Sequence, residues 1–143
     1  MLFRSSPKGV APIALEAEKR VARLRDLWAC EIALSVDPPD LATSITTMRN
    51  VSHMIAEGVS NAVRHGHASR VTINVIKRED RLVLNISDNG QGFKDLAGSY
   101  TASELSSMNT GPLSLRSRAE ECGGTLYLTC SPEGTHVTVE LPI

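Results

Sequence analysis

Three polar side chains recur every fourth residue in the segment EGVSNAVRHG, residues 57–66: Glu57, Asn61 and His65. At 3.6 residues per turn, positions four apart lie on one face of a helix, so these side chains form a single polar stripe. Amide and carboxylate oxygens are suitable ligands for Mg²⁺, and a carboxylate also serves as a general base. The stripe therefore indicates either a face that binds a metal and phosphate or an ordinary solvent-facing strip of a helix.

A second candidate is the segment SDNGQGF, residues 87–93, in which a predicted strand ends at Asp88. Gly90 and Gly92 follow at alternate positions, where the absence of a side chain lets a flat ligand approach the backbone. The Asp88 carboxylate is placed to accept a hydrogen bond from an amino group of such a ligand. Taken alone, the same residues also fit a tight polar turn.

The third candidate is MNTGPLSLRSR, residues 108–118, where a loop containing Gly111 leads directly into a predicted helix. Free N–H groups and the helix dipole make a helix N-terminus attractive to anions, and Arg116 and Arg118 follow within the helix. A simple capping loop is the alternative. A dinucleotide-binding fingerprint does not fit, because no strand–helix–strand unit surrounds these glycines, and a GxxxxGK[ST] loop is not present.

The elements that must position these segments follow from hydrophobic periodicity and from capping and turn residues. Thr43 or Ser44 is placed to cap the helix that carries the stripe, and Gly66 to end it at the C′ position. Residues 90–111 are rich in Gly, Ser and Thr with weak periodicity, which is typical of a functional lid or a disordered loop. In chain order the other predicted elements are a helix over 13–28, a strand over 30–37, a hairpin over 69–90, a helix over 112–124 and strands over 125–131 and 135–142.

This order predicts an α+β fold, a two-layer sandwich in which helices cover one face of a mixed sheet of about five strands. The chain has 143 residues, a length that suits one domain. We expect that domain to span 13–143, with a flexible tail over residues 1–12.

Composition excludes several functional classes. The formal net charge is −1 and aromatic residues make up 3%, so neither a nucleic-acid partner nor direct membrane contact is expected. No stretch approaches the roughly 20 apolar residues of a membrane span, and the start lacks the apolar core of a signal peptide. The three cysteines lack CxxC spacing, which favours a reducing cytoplasm over disulfides or zinc, and His65 and His67 have no third ligand nearby.

Together the three segments resemble the conserved boxes of the GHKL-type (Bergerat-fold) ATPases. EGVSNAVRHG resembles the N box, SDNGQGF the G1 box and NTGPLSLRSRAEECGG the G2 region. Within that group the chain is most similar to the catalytic ATP-binding domain of bacterial sensor histidine kinases. Its ending, LRSRAEECGGTLYLTCSPEGTHVTVELP, resembles the kinases related to nitrate and desaturase sensors, and the resemblance covers about 30–143.

The resemblance implies a role for each matching residue. Asn61 would coordinate an Mg²⁺ ion that bridges the ATP phosphates, and Glu57 would act as base or water-orienter in phosphoryl transfer. Residues 94–110 would form the ATP lid, and Asp88 would accept the adenine amino group. The remaining nucleotide-binding residues implied are Arg64 and His65 near the phosphates, Gly90 and Gly92 around the base, Gly111 at the helix start, and Thr135 beside the adenine.

The resemblance also implies partners. ATP would donate its γ-phosphoryl group to a histidine on a separate dimerisation domain, with a response regulator downstream, in the cytoplasm or in the cytoplasmic part of a membrane-bound sensor. No phosphoacceptor segment of the ExxRIAxxLHD kind occurs, and His53 is interpreted as a helix-surface residue. A serine kinase and partner switch of the anti-sigma-factor type is an alternative, because such proteins are of similar length.

The G2 region departs from the family pattern. Where the family commonly has Gly-x-Gly-Leu, this chain has Asn109-Thr110-Gly111-Pro112. Proline lacks a backbone N–H, so one donor at the helix start is lost. A degenerate module that docks partners without hydrolysing ATP is therefore a further alternative.

Overall fold

The computed structural model describes residues 9–93, 96–109 and 111–143. Its elements follow one another along the chain as eight strands and four helices within these ranges. They are β1 (Val10–Pro12), α1 (Ile13–Leu27), β2 (Glu31–Asp37), β3 (Ala42–Ser44), α2 (Ile45–Arg64), β4 (Arg70–Arg78), β5 (Arg81–Asp88), β6 (Gly98–Thr101), α3 (Ala102–Ser107), α4 (Leu113–Glu121), β7 (Thr125–Ser131) and β8 (Gly134–Pro142).

Six strands form the main sheet in the order β2-β4-β5-β8-β7-β6. β2 pairs with β4 in parallel and the other neighbours are antiparallel, so the sheet is mixed. Burial alternates along the strands: in β4, Val71, Ile73 and Val75 are fully buried, while the residues between them are at least partly exposed. This alternation shows that the helices cover one face of the sheet, and the predicted two-layer α+β sandwich is confirmed.

Helix α2 begins and ends where the sequence predicts. The Ser44 hydroxyl accepts a hydrogen bond from the Thr47 N–H at 3.1 Å, which satisfies a free donor of the first turn. His65 is the C-cap residue and Gly66 occupies the C′ position. The buried face of the helix consists of Val51, Ser52, Met54, Ile55, Gly58, Val59 and Ala62.

The main sheet has six strands, one more than the sequence predicted. β6 and α3 lie inside the Gly-, Ser- and Thr-rich segment that was predicted as a structureless lid. β6 pairs with β7 from Gly98↔Cys130 to Thr101↔Tyr127, and a capping box between Thr101 and Glu104 begins α3. Long-range backbone pairing orders a segment whose own periodicity is weak. Residues 94, 95 and 110 of the predicted lid lie outside the described residues.

The first ordered strand also extends into the predicted tail, residues 1–12. β1 pairs with β3 in a separate two-stranded sheet, from Val10↔Ser44 to Pro12↔Ala42. This pairing gives residues 10–12 backbone partners, so that part of the tail prediction is wrong, while residues 1–8 lie outside the described residues. Among the described helices, none is both long enough and apolar enough to cross a membrane.

Candidate functional site

A small cavity of about 20 Å³ lies between α2, the end of β5 and the start of α4. Five of the nucleotide-binding residues predicted from the sequence meet in its wall: Asn61, His65, Asp88, Gly92 and Thr135. They come from three distant parts of the chain, and the sheet order β5-β8 with α2 packed on the sheet brings them together. The rest of the wall is mostly apolar and includes Gly58, Ala62, Gly66, Ile86, Phe93, Pro112, Leu115 and Val137.

Asp88 provides the acidic group in this wall. Its Oδ1 accepts a hydrogen bond from the Gly90 N–H at 2.8 Å, and Thr135 lies opposite it on β8. Burial raises the pKa of the Asp88 carboxyl, and hydrogen bonds from the backbone N–H groups of Gly90 and Thr135 oppose that rise. A partly buried carboxylate in an apolar wall is suited to accept a hydrogen bond from the edge of a flat ligand.

The loop after Asp88 packs closely against the end of β7. Gly92 has a φ of 75°, and a Cβ at this position would lie 2.6 Å from the Sγ of Cys130 and 2.7 Å from the carbonyl oxygen of Ser131. The Phe93 N–H donates to the Cys130 Sγ at 3.0 Å. Only glycine fits at position 92, and its presence lets the loop pass close over β7.

Gly90 lies behind the cavity wall, and its role as a nucleotide-binding residue stays a prediction. It does not line the cavity, and a Cβ there would lie 2.6 Å from the Gly66 carbonyl oxygen. That carbonyl also accepts a hydrogen bond from the Gln91 N–H at 2.7 Å. The close contact joins the end of α2 to the loop after β5 and so fixes the two walls of the cavity relative to each other.

The cavity adjoins an open cleft of about 440 Å³ at the start of α4. Asn61 and His65 belong to both spaces, whereas Arg64 and Gly111 line the cleft alone. The cleft is completed by Phe93, Pro112, Leu113 and Ser114. Because the helix dipole and the Arg64 guanidinium both favour negative charge, this cleft is suited to an anion.

Pro112 is the N-cap residue of α4 and not a residue of its first turn. Its carbonyl oxygen accepts the Arg116 N–H at 3.0 Å. The N–H groups of Leu113, Ser114 and Leu115 therefore remain the free donors of this helix end, since the first residues of a helix have no partner within it. The proline removes one donor and leaves three.

His65 and Phe93 separate the cavity from the cleft. Their rings are stacked, with centroids 6.1 Å apart and planes 26° from parallel. Phe93 ends the glycine-containing segment after β5, but its sequence position predicts no role for it, because its contact with His65 depends on how α2 and β5 pack. Leu115, which closes the cavity from α4, is fully buried and was also missed.

Glu57 lies in a neighbouring cleft together with Asn61, Arg64, Ser60 and Ser114. Its Oε1 accepts a hydrogen bond from Arg118 Nε at 2.9 Å, and this ion pair joins α2 to α4. From the sequence, Arg118 could be identified only as a basic residue after a helix start. The pairing spans 61 positions in the chain, so no local pattern could have indicated it.

A sequence-family model matches the part of the chain that forms this site. The model described as "Histidine kinase-, DNA gyrase B-, and HSP90-like ATPase" aligns with residues 47–143, which include every candidate site residue. The chain belongs to this ATPase family. The ATPase domain therefore carries the Asn61 stripe, the Asp88 loop and the Gly111 loop in the order that the resemblance predicted, and that resemblance is confirmed.

Relatives of the ATPase domain include sensor kinases. It is 34% identical over 90 residues to the sensor histidine kinase NarS of Mycobacterium tuberculosis, covering 63% of this chain and 20% of NarS. It is 34% identical over 88 residues to the sensor protein VraS of Staphylococcus epidermidis, covering 61% of this chain and 23% of VraS. The chain thus spans about a fifth of the length of these relatives.

Solved structures agree on the fold. The ATP-binding domain of PrrB from Mycobacterium tuberculosis has a TM-score of 0.72 at 19% identity, covering 94% of this chain and 96% of that one. The histidine kinase domain from Erythrobacter litoralis has a TM-score of 0.70 at 16% identity, covering 92% and 61%. The fold is that of a histidine kinase ATP-binding domain, while the roles of the individual site residues stay predictions.

Proposed function

We propose that this ATPase domain binds ATP together with Mg²⁺ and donates the γ-phosphoryl group to a histidine on a separate dimerisation domain. One observation carries the proposal: Asn61 lies at the junction of the inner cavity, which holds Asp88, and the outer cleft at the start of α4. A nucleotide has the same two parts, a flat hydrogen-bonding base and a polyanion. The family membership and the sensor-kinase relatives support the same reaction.

The base is proposed to enter the inner cavity. The Asp88 carboxylate would accept a hydrogen bond from the adenine amino group, and Thr135, which lies opposite it, would flank the base. Apolar side chains such as Leu115 and Val137 would cover the ring faces. The stacked rings of His65 and Phe93 border this small cavity, so we propose that they move apart when adenine enters.

The phosphates are proposed to lie in the outer cleft. The free N–H groups at the start of α4 and the Arg64 guanidinium would bind them, with Gly111 allowing close approach. The donor set fits Mg²⁺, which takes one or two protein oxygens and completes its shell with phosphate and water. The Asn61 amide oxygen would be such a ligand, and the metal when bound would neutralise charge on the transferring group.

The acceptor histidine is proposed to come from another domain. The four histidines of the chain are His53, His65, His67 and His136, and the first three lie on or just after α2. His53 is exposed on the helix, as the sequence predicted. We propose that a dimerisation domain carries the histidine that accepts the phosphoryl group, and that a response regulator receives the group later. We also propose that this reaction takes place in the cytoplasm.

Two measurements test the proposal. Calorimetric titration with a non-hydrolysable ATP analogue, with and without Mg²⁺, should give saturable binding that Mg²⁺ tightens. Incubation with γ-labelled ATP and a purified histidine-containing dimerisation domain should label that domain on histidine, and the Asn61→Ala variant should not. Absence of Mg²⁺-dependent binding would contradict the proposal, and labelling of an anti-anti-sigma-like partner on serine in place of histidine would favour the partner-switch alternative.

A further inference from the structure

The ion pair between Glu57 and Arg118 lies beside the proposed phosphate site. Arg118 Nε and Glu57 Oε1 are 2.9 Å apart, and the two side chains are 31% and 24% exposed. Solvent therefore screens this pair less than it screens the two other ion pairs of the described residues, Arg70–Glu31 and Arg81–Glu140, whose side chains are 44–80% exposed.

The position of Glu57 creates an electrostatic conflict. Its carboxylate lines the same small cleft as Asn61 and Arg64, the residues proposed to contact the metal and the phosphates. An uncompensated carboxylate there would repel a triphosphate, because like charges a few ångströms apart disfavour each other. The Arg118 guanidinium compensates that charge and fixes the side of the cleft to which the carboxylate points.

We propose that Arg118 is a positioning residue for the nucleotide site: it holds Glu57 against α4 and neutralises its charge, so that α2 can present Asn61 to a triphosphate. This inference rests on the proposed function, because it assumes that the phosphates lie in the cleft at the start of α4. It assigns to Arg118 an effect that acts through Glu57 and not through direct contact with ATP. The pair also ties α2 to α4, the two helices whose ends form the walls of the cleft.

The inference predicts a particular dependence on ligand charge. Arg118→Gln should weaken binding of a non-hydrolysable ATP analogue with Mg²⁺ by about tenfold, the size of coupling seen between residues in contact. Adenosine carries no phosphate, so its affinity should change less than about twofold. Adding Glu57→Gln should recover most of the lost analogue affinity, because the unpaired carboxylate is then gone.

Two further variants serve as controls. Arg118→Lys keeps the positive charge and should retain most of the analogue affinity. Arg70→Gln breaks the exposed pair with Glu31 at the edge of the sheet and should leave both affinities unchanged. Thermal melting of each variant shows whether it is folded, and Arg118→Lys and the double variant keep the test decisive if Arg118→Gln alone does not fold.

The outcomes are distinguishable. Selective loss of analogue affinity in Arg118→Gln, rescued by Glu57→Gln, supports the inference. Equal loss for the analogue and adenosine without rescue, or no loss at all, overturns it and leaves Arg118 a structural link between two helices. If the wild-type chain binds no analogue with Mg²⁺, the proposed function itself fails, and the inference that depends on it fails too.

Discussion

Gly58 of α2 lies directly against Ile86 of β5. A Cβ on Gly58 would be 2.5 Å from Ile86 Cδ1 and 3.3 Å from its Cγ2, which is closer than side-chain atoms normally approach. Gly58 is three residues before Asn61, and Ile86 is two residues before Asp88. The contact therefore sets how closely the helix that carries Asn61 packs on the strand that carries Asp88.

Gly58→Ala should lower the free energy of unfolding by about 1–3 kcal/mol, because extra volume in a packed core forces shifts that outweigh the helix preference of alanine. Ile86→Val removes the Cδ1 atom and should by itself cost about 0.5–1.5 kcal/mol. In the Gly58→Ala background the same valine should stabilise the protein. Urea denaturation of all four proteins measures these values, and a valine that destabilises both backgrounds equally would refute the proposed contact.

Asn61→Ala should reduce Mg²⁺-dependent affinity for a non-hydrolysable ATP analogue by at least about tenfold, which corresponds to the loss of one metal ligand. The reason is its position at the junction of the cavity and the cleft. Asn74→Ala is a matched control, because Asn74 lies in the sheet away from the site and its Oδ1 accepts a hydrogen bond from Ser35. Calorimetry on both variants makes the comparison, and equal affinities in the two would remove Asn61 from the site.

Asp88→Asn should weaken adenine-nucleotide binding, since an amide presents a weaker acceptor to the adenine amino group than a carboxylate. The substitution should also make the free protein more stable at neutral pH. Burial raises the pKa of Asp88 above its usual 3.8, so the folded state binds more protons than the unfolded state as pH rises above 3.8. Stability from this group is present below pH 3.8 and is lost as pH rises through the folded pKa.

Melting temperatures of wild type and Asp88→Asn between pH 3 and pH 8 test the stability part of this prediction. We expect the advantage of the variant to be largest at neutral pH and to shrink towards pH 3, about one unit below the usual pKa of the aspartate. An advantage that does not change with pH would show that the effect comes from packing and not from charge. Nucleotide titration at neutral pH tests the binding part separately.

Pro112→Ala should strengthen ATP-analogue binding by about fivefold, because it restores one backbone N–H at the start of α4 and such a hydrogen bond contributes about 1 kcal/mol. The gain is limited because the N–H groups of residues 113–115 are already free in the proline-containing chain. Leu27→Ala changes an exposed side chain at the end of α1, outside the cleft, without adding a donor and serves as the control. Weaker binding by Pro112→Ala would mean that the proline orders the loop and does not impair the site.

Phe93→Ala should speed the association of a fluorescent ATP analogue. The stacked ring of Phe93 borders the small inner cavity, so we expect adenine entry to displace it. Tyr127→Ala, which removes an exposed aromatic ring from β7 outside the cavity, is the matched control. Stopped-flow measurements give the association rates, and a rate unchanged from wild type would show that Phe93 does not obstruct the cavity.

Much of the fold could be predicted from the sequence, because its signals are local. The Ser44 cap, the polar stripe on an apolar helix and Gly66 after its end specify α2 within one residue. Alternation of apolar and polar residues specifies the five longer strands in the same way: β2, β4, β5, β7 and β8. β6 could not be predicted, because its residues include Gly and Ser and form a strand only through pairing with β7.

The candidate site shows the same difference between local sequence signals and long-range contacts. The family can be recognised from the sequence alone, since the Asn61, Asp88 and Gly111 segments carry characteristic residue types in a characteristic order and spacing. The contacts between distant residues depend on the folded chain: Glu57 pairs with Arg118, Phe93 stacks on His65 and Gly90 packs on Gly66. The physical reason is that local patterns depend on neighbours within a turn or a pleat, whereas these contacts join residues 24 to 61 positions apart through the packing of α2 on β5 and α4.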